Sequence, residues 1–180
     1  MKIDIGCGNR KPQKGFIGCD VRKNDHVEIV CNSWEIDKYI KKKTLTNIYS
    51  RHTFEHLTFK QGKLSLECWY NCLIKGGSVR IIVPDIYFHA RQYLEFYDRR
   101  NITESGKIYT EYIHSIAGFY GWQREEDEDD LFFSTFNTSW DIHKSGYDYI
   151  SLKNLVESIG FINYKRLQNK PWHLDVEFNK

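Results

Sequence analysis

At 180 residues the chain is long enough for one domain with a sizeable core. Its 26 basic and 24 acidic residues leave a net charge of +2, which supplies no strong pull toward nucleic acid or an anionic membrane. Five cysteines without disulfide-framework spacing, and no apolar run near the ~20 residues needed for a membrane span, predict a reducing, cytoplasmic setting.

Lys2-Ile3-Asp4-Ile5 predicts a strand at the outset, leaving no room for a secretory signal, and Gly6-Cys7-Gly8 stops it. Further strands are predicted over Gly15–Val21, His26–Cys31 and Leu45–Ser50. From about Phe59 to Ile74 the spacing of Leu64, Leu66, Cys68, Trp69, Leu73 and Ile74 predicts an amphipathic helix, with Gly76-Gly77 as its C-terminal stop. Val79–Val83 is a β-branched strand closed by Pro84. Residues 86–140 differ: aromatic-rich helical patterns (Tyr87–Tyr97, Lys107–Ala117) lead to Gly118, Gly121 and an acidic run, Glu125–Asp130. A helix near Ser151–Ser158, ended by Gly160, precedes two strands, Phe161–Leu167 and His173–Phe178. The expected organisation is one domain over 1–180 with an insertion at about 86–140. Strands alternating with helices predict an α/β fold: a mainly parallel seven-stranded sheet with helices on both faces, and ligands beyond the strands' carboxyl ends.

Gly6 and Gly8 lie just past a strand, where glycine permits a tight turn and close approach to bare backbone. Asp20, at the end of the next strand, can accept both hydroxyls of a ribose. Lys11 stands where a dinucleotide fingerprint would place its third glycine, and Lys11–Lys14 leave little room for a pyrophosphate-binding helix. A cofactor with a ribose and no phosphates suits the loop better.

Ile3–Gly8, Ser50–Leu57, Lys75–Asp85 and Ser158–Phe161 together resemble, in order, the motifs of class I S-adenosylmethionine-dependent methyltransferases of Rossmann-like fold. Gly118–Gln123 and Asp141–Tyr147 resemble a small subfamily associated with surface-polysaccharide biosynthesis. The resemblance implies S-adenosylmethionine as cofactor. Gly6 and Gly8 would then pass under its methionine part, with Asp4 at its amino group and Asp20 at its ribose. Asn32, Ser33 and Trp34 would border adenine, Asn32 standing where the family usually has Asp. Ser50 and His52 would border the sulfonium. The first helix of the family is truncated or missing here, which either loosens cofactor binding or leaves that side of the sheet for a partner subunit, such as a second copy of the chain, to cover.

Two patterns suggest metal. His52–His56 matches His-x-x-Glu-His, but it follows a strand directly, which keeps the two histidines off one helical face. Cys68 and Cys72 are one helical turn apart and lack a second ligand pair. No metal is expected. The acidic run is expected as a solvated loop, or as a lid over the substrate mouth.

Methylation of a hydroxyl benefits from a base. His143 is the first candidate, with Asp141 to orient it; Asp85 is the second, as base or as acceptor for substrate hydroxyls. A loop role for His143 and a helix N-cap role for Asp85 remain equally open. Tyr87, Phe88, Tyr120, Trp122 and Trp140 are expected to form the acceptor pocket, suited to a sugar ring. O-methylation of a carbohydrate, or of another small acceptor, is the leading expectation. A non-catalytic methyltransferase-like module and a nucleic-acid methyltransferase are the alternatives.

Overall fold

Aliphatic and β-branched runs bounded by glycine, proline and asparagine fold into seven strands in a computed structural model that describes residues 1–99, 105–122 and 142–180. They are β1 (Lys2–Ile5), β2 (Ile17–Asp20), β3 (Ile29–Val30), β4 (Leu45–Arg51), β5 (Leu73–Pro84), β6 (Ile162–Arg166) and β7 (His173–Asn179). The helices are α1 (Phe59–Cys72), α2 (Ile86–Arg99), α3 (Ser105–Tyr120) and α4 (Tyr149–Ile159), with short 3₁₀ turns at Ser33–Lys38 and Phe54–His56. The sheet order is β3-β2-β1-β4-β5-β7-β6. β7 runs antiparallel between β5 and β6, and the other neighbours are parallel.

Side-chain alternation along the strands sorts the two faces. The row Ile3, Ile48, Val79 and Phe178, and the row Ile5, Ile81 and Val176, point into the main core. There they meet Ile36 of the first 3₁₀ turn, Leu66 and Trp69 of α1, and Leu152 and Val156 of α4. Trp69 is fully buried, and its indole N–H donates to the Ser33 carbonyl at 2.9 Å. Capping boxes start both helices, Thr58 with Gln61 and Asp148 with Ser151, and Gly160 at φ 110° ends α4.

The other face carries the intervening residues, among them Asp4, Tyr49, Arg80 and Asp175. Where helices were expected on both faces, no helix lies between β1 and β2 or between β2 and β3. Around β1 and β4 the second face is held by the 10–16 loop. Arg10 grips the fully buried Asp4 through two hydrogen bonds (2.9 and 3.0 Å) and lies over Tyr49, and the Gln13 amide adds a third bond to Asp4. Further along, Arg80 pairs with the fully buried Asp175 at 2.7 Å.

The structure moves several predicted boundaries: of His26–Cys31 only Ile29–Val30 is strand, and β5 begins at Leu73 rather than Val79. Gly76-Gly77 does not stop α1; the helix ends at Cys72, and Leu73 already pairs with Leu45. Gly76, at φ 77°, sits in a bulge that lets β5 continue, and Lys180 closes it through Gly76 N–H and Gly77 C=O.

Candidate active site

The carboxyl ends of β1, β2, β3 and β4 lie side by side, so the polar residues that follow them share one edge of the sheet. After β1 the chain turns through Gly6 (φ 72°) and Gly8 (φ 55°). A Cβ on Gly6 would lie 2.0 Å from the Thr53 hydroxyl oxygen, so glycine is required there twice, by conformation and by space. Gly8 N–H donates to one Asp20 carboxylate oxygen at 2.8 Å and Arg22 N–H to the other at 2.9 Å. The carboxylate keeps further lone pairs for a diol.

Other residues expected at this edge have mixed positions. Both Asp4 oxygens are occupied by Arg10, and Gln13 adds to one of them, so this carboxylate anchors the loop that replaces the missing helix. Ser33 is buried with its hydroxyl 2.6 Å from that of Ser65 on α1, which makes it a joint between the 3₁₀ turn and the helix. Asn32 bonds to Glu35 at 2.7 Å, and Trp34 is half-buried. Ser50, at the end of β4 and paired in register with Ile5, is 1% exposed, and its hydroxyl has no partner among the described residues.

Beyond β4, His52 adopts a left-handed conformation (φ 49°) rather than a helical one. Its Nδ1 lies 3.2 Å from Glu55 Oε1, and its ring packs edge-on against His173. Glu55 is 1% exposed, and its second oxygen, Oε2, has no partner among the described residues. Burial opposes its charge, but the His52 hydrogen bond and the neighbouring His56, His52 and His143 outweigh that, holding the carboxyl below its usual range. His143 stands 5.2 Å from His56, ring to ring. Its Nδ1 donates to the Gly118 carbonyl at 3.0 Å, while His56 Nδ1 donates to the Ile142 carbonyl at 3.1 Å. Carbonyls only accept, so in each neutral ring Nε2 carries the lone pair.

The segment 142–147 is the clasp of this site. Lys144 and Ser145 N–H groups both donate to the Glu55 carbonyl (2.9 and 3.1 Å), His143 N–H donates to Tyr120, and Tyr147 bridges to Asp85. The described parts of the two segments singled out separately in the sequence, Gly118–Trp122 and Ile142–Tyr147, thus meet. Gly118 is also needed under His89, whose ring atoms would lie 2.1 Å from an added Cβ.

Asp85 is 2% exposed and serves as a joint. One oxygen accepts Tyr87 N–H at 3.1 Å, capping α2, and the other takes Arg166 at 2.6 Å. This pairing weighs against a base role. A cavity of about 510 Å³ opens beside it, with Tyr87 and Phe88 on one wall and Arg91, Gln92, Glu95, Glu111 and Arg166 supplying polar groups. Tyr120 and Trp122 are exposed near the end of α3 and are not among its lining residues. Asp141, Trp140 and the acidic run lie outside the described residues.

Sequence reasoning missed Glu55, His56, Thr53 and Arg166 as parts of this edge. The first three lay within the Ser50–Leu57 motif without an assigned role, Glu55 and His56 also within a peptidase-like pattern, and nothing local marks Arg166.

No protein-family model matches the chain, and no curated protein does. Solved structures do. A methyltransferase from Archaeoglobus fulgidus, dependent on S-adenosylmethionine, superposes with a TM-score of 0.58 at 14% identity, covering 99% of this chain and 85% of that one. Another from Thermotoga maritima gives 0.57 at 12% identity, covering 99% and 81%. The 1,6-didemethyltoxoflavin-N1-methyltransferase of Burkholderia thailandensis, solved with S-adenosylhomocysteine, gives 0.58 at 10% identity, covering 99% and 70%. The chain has the Rossmann-like fold of S-adenosylmethionine-dependent methyltransferases.

Proposed function

We propose that this protein is an S-adenosylmethionine-dependent methyltransferase that modifies a hydroxyl of a carbohydrate or similar small acceptor. The observation that carries the reading is the Gly6–Gly8 turn bonded to Asp20 across the ends of two adjacent parallel strands. The residues fit this cofactor. The turn presents bare backbone, Asp20 retains capacity for two ribose hydroxyls, and the orphaned Ser50 hydroxyl calls for a polar partner. Asn32 and Trp34 flank the adenine end and His52 the sulfonium end. Asp4 is fully buried and already accepts three hydrogen bonds, so it is closed to an amino group.

When bound, the cofactor supplies a methyl group already activated by its sulfonium. The chain's own residues align the acceptor and take up its proton. His143, held by Gly118 in the tautomer with a basic Nε2, accepts that proton. Aromatic Tyr87 and Phe88 beside charged groups suit a hydroxyl-rich ring.

Calorimetry tests the reading. S-adenosylmethionine and S-adenosylhomocysteine should bind and NAD should not, and Asp20→Ala should weaken binding by roughly 1.5–3 kcal/mol, the worth of hydrogen bonds to a charged group. Loss of all cofactor binding in the parent protein would favour the non-catalytic module; an unaffected Asp20→Ala would sink the assignment of the ribose site.

A further inference from the structure

We infer that Glu55, His56 and His143 form a binding site for a divalent transition-metal ion of the zinc class. One ligand atom from each lies within 4.8 Å of the other two. Coordination at about 2.0–2.1 Å brings ligand atoms to roughly 3.4 Å, a contraction that side-chain rotation supplies.

Three features favour an ion over a chance cluster. Glu55 Oε2 is a buried carboxylate oxygen without a partner among the described residues, which is costly unless something positive meets it. Both imidazoles commit Nδ1 to backbone carbonyls, Ile142 and Gly118, an arrangement that orients metal-ligating histidines and leaves Nε2 as the ligating nitrogen. The opposite oxygen, Glu55 Oε1, is held by His52, which fixes the carboxylate plane. Two imidazoles and one carboxylate suit zinc, cobalt, manganese or iron rather than calcium or magnesium. Three protein ligands also leave a coordination position open, as catalytic rather than structural sites do.

The proposal departs from the sequence-based expectation of no metal. The His-x-x-Glu-His pattern does not bind through its first histidine; His143, from the far end of the insertion, takes that place. Ion binding depends on this geometry alone. Its consequence rests on the methyl-transfer reading: the ion, rather than the bare His143 imidazole, would make the acceptor hydroxyl acidic, and the proton would pass to solvent.

Metal-stripped, untagged full-length protein is titrated with Co²⁺, followed by its visible absorption, and Zn²⁺ is then used to displace it. One Co²⁺ per chain is expected. Glu55→Gln and His143→Asn, each checked for folding by circular dichroism, should weaken binding by roughly 10–100-fold or more. His26→Asn, at an exposed histidine outside the cluster, should not change it. Absence of stoichiometric binding, or binding indifferent to both ligand variants, overturns the site. S-adenosylmethionine calorimetry on the same stripped protein separates the two readings. Cofactor binding without Co²⁺ removes only the metal site, and Co²⁺ binding without cofactor removes only the methyltransferase.

Discussion

At the residue scale, the site illustrates how one side chain acquires a role from the backbone around it. His143 is a loop histidine by sequence, but the Gly118 carbonyl accepts from its Nδ1 and Tyr120 accepts from its N–H. The ring is thereby held beside His56 and the buried Glu55. Whether it takes a proton itself or serves an ion, it acts on the acceptor and not on the cofactor. His143→Ala should therefore leave S-adenosylmethionine affinity almost unchanged while turnover falls by roughly 10²–10⁴. His143→Asn, which can still donate to Gly118, should be nearly as slow. Calorimetry paired with single-turnover kinetics checks both, and retention of most of the turnover would return His143 to a structural role.

Elements here are joined by buried carboxylates, each met by an arginine: Asp4 by Arg10, Asp85 by Arg166, Asp175 by Arg80. The first pair substitutes for an entire helix, since it ties the 10–16 loop to the second face of β1. Removing one partner of such a pair strands a charge in the interior, which costs roughly 3–5 kcal/mol. For Arg10→Ala the expected loss is about 3 kcal/mol, the low end, because Gln13 N–H still reaches Asp4. Urea denaturation measures it. Adding Asp4→Asn should restore part of the loss, since the stranded charge is then gone. An unmoved Arg10→Ala midpoint would mean that the loop is held by Phe16 and Tyr49 packing alone.

At the scale of the whole molecule, all histidines except His26 gather along the carboxyl edge of the sheet and its covering helices, which sets how the fold responds to acid. His89 is pushed down to about 4, first by burial and then by His114; His143 and His173 also disfavour its charge, and a hydrogen bond to the Trp172 backbone partly opposes them. His173 is likewise pushed to about 4 by burial, His52 and Arg51, against the pull of Glu55 and Asp175. In the unfolded chain both would titrate near 6.5. Between those values the unfolded state binds more protons, so stability falls as pH drops from about 6.5 toward 4. Glu55, with its lowered pKa, adds to the loss only below about 4.5. Urea midpoints measured from pH 7 to 4.5 should decline, and His89→Asn should flatten the decline. A flat profile for the parent protein would show that these rings are solvated. Among the described residues no helix is long and apolar enough to cross a membrane.

The sequence by itself determined the strand and helix periods, the glycine turn after β1, the carboxylate at the end of β2 and the αL stop at Gly160. These depend on local sterics and on hydrophobic alternation within a few residues, which a linear reading captures. It misjudged Gly76-Gly77 because glycine ends helices and forms bulges equally well, and only the pairing of Leu73 with Leu45 decides between them. Tertiary structure alone decided that Asp4 belongs to Arg10, that Ser33 turns to Ser65, that Asp85, an N-cap candidate from sequence, also pairs with Arg166, and that His143 closes on Glu55 and His56. Each of these depends on which polar groups the strand order brings together once water is excluded, and no local pattern in the chain encodes that.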